Sequence, residues 1–246
     1  KDWVIGEFVW TGFDYLGEPT PYDEYWPSRS SYFGICDLAG LPKDRYYLYR
    51  SHWRKDEHTI HLLPHWTWGK DRVGKVTPVY CYTDYDEAEL FVNGKSQGRI
   101  KKNPNERLDR YRLRWNNVKY EPGEVKVVVY DANGSVAGEK VMKTAGKPAN
   151  LKTEVWTQNA MSSLKADGND LAYVTVSLID KNGTLIPDAP DQLLFEVSGV
   201  GPFKAVCNGD ATSLEVFTEP TMKLFAGQLV VVCQTGKEKG QLMLTD

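Results

Sequence analysis

The chain lacks any apolar run approaching the roughly 20 residues that carry a helix across a bilayer, so no membrane-spanning helix is expected. It lacks an excess of charge of either sign: 30 Lys and Arg stand against 33 Asp and Glu, a formal net charge of -3. That balance offers no electrostatic reason to expect nucleic acid or an anionic membrane as a partner. Cysteine is sparse, with Cys36, Cys81, Cys207 and Cys233 far apart and no Cys-x-x-Cys pair, which weakens metal-knuckle and redox readings. Cys207 and Cys233 could pair within one domain, but buried free thiols are the simpler expectation. The first ten residues make no signal peptide, because Glu7 interrupts the apolar stretch and no cleavage-type region follows. They read as an interior strand with nothing in front of it, the first hint of a fragment. Sustained helical periodicity is missing from the last two thirds.

Apolar residues, at 41%, are plentiful enough for real cores. The aromatic content of 12% is uneven: Trp3, Trp10, Trp26, Trp53, Trp66 and Trp68 all fall in the first 70 residues. Aromatic faces serve both cores and sugar sites, so density alone does not separate the two.

Three regions follow. Residues 1–56 open with the β-rich run Trp3–Trp10. A loop from Gly12 to about Leu41 comes next, then a helix starting near Pro42-Lys43-Asp44 and carrying Tyr46, Tyr47, Tyr49 and Trp53. One strand, one long loop and one helix cannot close a core. In residues 57–146, period-2 alternation predicts strands at 59–63, 77–82, 87–92, 110–115, 124–131 and 139–143, with hairpin signals at Asn93-Gly94 and Asn133-Gly134. After a linker near Gly146-Lys147-Pro148, residues 149–246 repeat the style, with strands predicted at 150–156, 171–180, 192–197, 204–207, 222–225, 228–233 and 241–244 around an Asn182-Gly183 turn. Both regions are expected to be β-sandwiches of the immunoglobulin type.

The stretch Gly6-Glu7-Phe8-Val9-Trp10-Thr11-Gly12-Phe13-Asp14-Tyr15-Leu16-Gly17-Glu18-Pro19 resembles the eighth barrel strand and following loop of family 2 glycoside hydrolases. The run Trp26-Pro27-Ser28-Arg29-Ser30-Ser31-Tyr32-Phe33-Gly34-Ile35-Cys36-Asp37 through Leu41-Pro42-Lys43-Asp44 is similar to that family's approach to its last barrel helix. Leu63-Pro64-His65-Trp66 and Asp86-Glu87-Ala88-Glu89-Leu90-Phe91-Val92-Asn93-Gly94 resemble the sandwich after the barrel, while the final domain is similar only in kind. The resemblance implies a mainly β chain: two immunoglobulin-like sandwiches preceded by the C-terminal βα piece of a TIM barrel. It implies the C-terminal part of a retaining, exo-acting enzyme, a β-galactosidase before a β-glucuronidase or β-mannosidase. The implied partners are a terminal β-linked sugar and the upstream catalytic barrel of the same parent chain. No cofactor is expected. For the parent, a periplasmic or secreted setting is favoured, although the composition carries no compartment signal.

Barrel active sites lie at the C-terminal ends of the strands. The resemblance therefore places Trp10 as a wall of the sugar pocket, with Asp14 and Tyr15 at its rim; the plainer reading makes Trp10 a packed barrel residue and Asp14 a brace. A retaining glycosidase needs two carboxyl groups about 5–5.5 Å apart. Glu7 and Asp14 are seven residues apart, and at about 3.3 Å per strand residue that span is far too long. The family's two catalytic glutamates would precede Lys1, and Glu18, Asp23 and Glu24 read as solvated loop. Arg29 is the one loop cation that could meet a uronate carboxylate. A zinc site at His58, His61 and His65 is disfavoured because strand alternation and Pro64 scatter the rings. Asp180-Lys181-Asn182-Gly183 lacks a calcium loop's later acidic ligands and suits a turn. A rival reading, a non-catalytic carbohydrate-binding or adhesion module, requires an exposed aromatic platform such as Trp66/Trp68 or Trp156.

Overall fold

The computed structural model describes residues 2–157 and 164–245, and is mainly β. The chain divides into two compact units, one spanning 42–147 and the other joining residues up to 41 with 148 onward.

In the 42–147 unit, α1 (Asp44–Trp53) precedes β1 (Ile60–Leu63), β2 (Val79–Thr83), β3 (Glu87–Val92), β4 (Lys95–Lys101), β5 (Leu113–Trp115), β6 (Glu124–Tyr130) and β7 (Val136–Lys143). The strands form two antiparallel sheets, ordered β1-β2-β5 and β4-β3-β6-β7. Alternation in β3 sends Ala88, Leu90 and Val92 inward, where they meet Val125, Val127 and Val129 of β6 and Leu62, Val79, Cys81 and Leu113 of the other sheet. Trp66 is 1% exposed, makes a T-shaped contact with Tyr120 at 5.1 Å and donates its indole N–H to the Glu121 carbonyl at 3.0 Å. This burial removes Trp66 from any sugar-binding platform. α1 lies against the smaller sheet through a Tyr47–His61 ring stack at 3.9 Å and the 2.7 Å contact of His61 Nε2 with Asp44.

Two strand assignments needed the structure. β4, with the sequence Lys-Ser-Gln-Gly-Arg-Ile-Lys, was not expected, because it is a polar edge strand with only Ile100 against the core. The Asn93-Gly94 turn forces it into place: both residues have positive φ, 48° and 78°, as a two-residue hairpin of matching twist requires. The strand expected over 110–115 shortens to β5, since residues before it form turns.

In the other unit, β8 (Pro148–Thr157), β9 (Leu171–Asp180), β12 (Phe203–Cys207) and β14 (Gln228–Gln234) make a four-stranded antiparallel sheet ordered β12-β14-β9-β8. Two small ladders accompany it: β10 (Gln192–Leu194) with β13 (Thr221–Lys223), and β11 (Glu196–Gly199) with β15 (Leu242–Thr245). The strand expected over 192–197 is thus split between two partners. Central β9 and β14 are apolar almost throughout, as strands covered on both faces are. All four cysteines are free thiols, so Cys207 and Cys233 do not pair here.

The turns Asp131-Ala132-Asn133-Gly134-Ser135 and Asp180-Lys181-Asn182-Gly183-Thr184 are built alike. Each aspartate accepts two backbone N–H bonds at 2.8 and 2.9 Å, from the residues two and four further on, and each glycine has φ near 80°. Asp180 thus serves the turn.

The run Trp3–Trp10 joins no ladder among the described residues, although it was expected as a barrel strand. A barrel strand is defined by neighbours on both sides, and among the described residues none pairs with this run. Ile5, Phe8 and Trp10 are left exposed.

Candidate functional site

Immediately after that run, residues 11–17 fold beside 29–36 through backbone hydrogen bonds. Ile35 and Cys36 N–H donate to the carbonyls of Thr11 and Gly12, Asp14 N–H to Cys36, Ser31 N–H to Tyr15, and Gly17 N–H to Arg29, all at 2.8–3.0 Å. Only isolated bridges form here, Phe13 with Cys36 and Leu16 with Ser30, yet the backbone is paired along both segments. Gly34 is required by the approach: a Cβ there would stand 2.2 Å from the Asp14 nitrogen and 2.5 Å from the Cys36 oxygen. The strap is anchored on its own unit by Arg29, whose N–H meets the Ala211 carbonyl at 3.2 Å. The Arg29 guanidinium donates to the Glu215 carbonyl at 3.3 Å and lies 5.4 Å from the Phe217 ring centre.

Three residues were expected to face a sugar, and the strap holds them in different ways. Trp10 is 69% exposed at its start. Tyr15 meets it edge-on with ring centres 6.2 Å apart and accepts the Trp10 indole N–H at 3.0 Å. Phe33 backs Tyr15 from another side at 6.0 Å. Asp14, 7% exposed, turns inward: its Oδ1 accepts the Gly34 N–H at 2.7 Å and the Ser31 hydroxyl at 3.2 Å. Trp10 and Tyr15 are therefore brought together as one aromatic corner, whereas Asp14 braces the strap beneath it.

Glu18 was read as solvated loop; the structure places it, half-buried, as the acceptor of the Tyr15 hydroxyl. That bond pushes the Tyr15 phenol above its ordinary 10 by stabilising the protonated form. Nothing in the local sequence marks Glu18, because the turn through Gly17 (φ 101°) delivers it. Glu7, Asp23 and Glu24 are exposed, as solvated residues are.

The histidines disperse: His58 meets Asp84 at 2.6 Å, His61 meets Asp44, and His65 stacks on Trp68 at 4.1 Å. Trp156, 51% exposed on edge strand β8, donates its indole N–H to Thr175 Oγ1 at 3.1 Å. It is the one exposed member of the three tryptophans proposed for a platform; Trp68 is half-buried against the core.

Residues 158–245 match the model described as glycoside hydrolase family 2 C-terminal domain 5, and residues 74–138 match a domain of unknown function, DUF4982. A β-galactosidase of Bacteroides ovatus is 48% identical over all 246 residues. The chain belongs to glycoside hydrolase family 2. A family 2 member of Bacteroides cellulosilyticus has a solved structure that superposes with a TM-score of 0.85 at 28% identity, over 99% of this chain and 34% of that one. A β-glycosidase of Bacteroides vulgatus gives the same TM-score at 34% identity, over 98% of this chain and 29% of that one. A putative β-glucuronidase of Formosa agariphila is 36% identical over 80% of the chain. The chain spans only 27% of the length of the β-galactosidase and 18% of the length of the β-glucuronidase.

Proposed function

We propose that this family 2 chain is the C-terminal part of a retaining, exo-acting β-galactosidase, in which it supplies one wall of the sugar site and scaffold domains. The observation that carries the sugar assignment is the 48% identity to a β-galactosidase along the whole chain. Trp10 is the wall, Tyr15 fixes its edge, and Asp14 holds the strap that carries both. In this proposal residues 1–56 close a catalytic barrel, and 57–146 and 149–246 are separate sandwiches.

The catalytic carboxylates lie elsewhere in the parent. Retention requires one carboxylate to attack the anomeric carbon and a carboxylic acid to protonate the leaving oxygen, about 5–5.5 Å away. Asp14 is buried under two donors and Glu18 is engaged by Tyr15, so neither is presented to a sugar as a free nucleophile.

A β-glucuronidase is the second reading, favoured by the Formosa agariphila relative. Against it, Arg29, the loop cation suited to a uronate, is turned onto Glu215 and Phe217. Turnover of nitrophenyl β-galactoside and β-glucuronide by the complete enzyme separates the two.

The purified 246-residue chain is expected to release no nitrophenol above buffer. Adding the upstream portion should restore hydrolysis, with proton NMR showing the β-anomer of galactose first. Hydrolysis by the chain alone, or the α-anomer first, overturns the proposal.

A further inference from the structure

Trp10 stands largely in solvent, and exposed side chains ordinarily sample several rotamers. An indole has three staggered wells about χ1 and roughly two about χ2. A pocket wall that must be in one of about six states loses up to about sixfold in apparent affinity if it is left unrestrained. Something must therefore hold it.

The chain of contacts that does so has a fixed polarity. Tryptophan can only donate, so the Tyr15 oxygen must accept from it. The single phenolic proton is then free to point the other way, toward the Glu18 carboxyl oxygen that accepts it. Without a strong acceptor beyond it, the Tyr15 hydroxyl would rotate among water partners and could turn its proton toward the indole N–H, where two donors repel. A charged acceptor makes the bond stronger and fixes the rotor. Phe33, edge-on to Tyr15, restrains the ring itself. The upward push on the Tyr15 phenol agrees with this direction, since the protonated phenol is the form Glu18 stabilises.

We infer that Glu18 is a positioning residue, acting through the Tyr15 hydroxyl to hold the Trp10 indole in the orientation that receives the sugar. The inference rests on the reading of Trp10 as a substrate wall. Glu18 itself touches Tyr15, and its effect belongs to binding more than to bond cleavage.

Two measurements test it. In the 246-residue chain, the Trp10 indole N–H resonance, identified by its loss in Trp10→Phe, should move and exchange faster with solvent in Glu18→Ala. In Glu18→Gln, whose amide oxygen still accepts, it should stay close to the parent position. An unmoved resonance in Glu18→Ala overturns the relay. In the complete enzyme, Glu18→Ala should raise KM for an aryl β-galactoside about three- to sixfold with kcat within about twofold, and Glu18→Gln should recover most of that loss. Equal loss in both variants, or a fall in kcat alone, overturns the positioning role. If Glu18→Ala does not fold, Tyr15→Phe keeps the ring and removes the hydroxyl, and must give the same KM shift. The double variant Tyr15→Phe/Glu18→Gln should then be no worse than Tyr15→Phe. An unchanged KM in Trp10→Ala overturns the wall reading, a result separable from loss of the relay because the resonance measurement involves no sugar.

Discussion

The β3–β6 pair and the run Trp3–Trp10 are written in similar residues and end in opposite states. In the first, Ala88, Leu90, Val92, Val125, Val127 and Val129 are buried in a closed sandwich; in the second, Ile5, Phe8 and Trp10 stand in water. Apolar strand-like sequence states a capacity for pairing and nothing more. β3 has neighbours on both sides, β4 and β6, while the first run has none among the described residues. Burial follows the partner, and the tertiary context decides where the apolar surface goes.

The contrast can be broken most forcefully at Trp66. Its replacement by Ala should destabilise the 42–147 unit by about 3–5 kcal/mol, through lost burial and a cavity under Tyr120. Urea titration followed by hydrogen exchange at β3 and β6 amides measures it, and a loss below about 1 kcal/mol would mean that Trp66 is not core. A smaller effect is expected at the paired turns. Asp180→Ala should cost about 1.5–3 kcal/mol, because Asp180 is buried and its two amide donors lose a charged acceptor. Asp131→Ala, at a more open turn of the same design, should cost less by the same titration; the reverse order would show that turn chemistry, and not burial, sets the magnitude.

Asp84 adds a pH dependence of at most about 1 kcal/mol, since His58 is largely exposed. Burial raises the Asp84 carboxyl, but the Thr59 N–H and His58 outweigh it, holding the carboxyl below its ordinary 3.8. Stability from this carboxylate is therefore present above pH 3.8 and lost as pH falls below it through the folded value. Asp84→Asn should flatten that acid limb in a series of urea titrations; an unchanged limb would remove Asp84 from the account. The smallest effect belongs to the exposed run: Ile5→Ser or Phe8→Ser should change stability of this chain by less than about 0.5 kcal/mol, with solubility rising. A large loss would reveal packing that the fold does not show.

Much of the architecture was legible along the chain. Alternation located β3 and β9 to the residue, and three of the four Asn-Gly pairs marked turns whose glycine has positive φ, Asn208-Gly209 being the exception. β4 was not legible, since a polar edge strand carries no hydrophobic period and is placed by the turn before it. The division of 192–197 between β10 and β11 was equally hidden: pairing partners lie more than twenty residues away in Thr221–Lys223 and Leu242–Thr245.

In the strap, the resemblance to the family's last barrel strand singled out Trp10, Asp14 and Tyr15, and the sequence by itself determined only that aromatic and carboxylate groups would be close together along the chain there. Only the tertiary structure decided their partners. The close approach at Gly34 turned Asp14 inward to its Ser31 and Gly34 donors, and the turn at Gly17 carried Glu18 to the Tyr15 hydroxyl. Local sequence states what a side chain can bond; which partner it reaches depends on where folding brings distant backbone, and that information is spread over the whole chain.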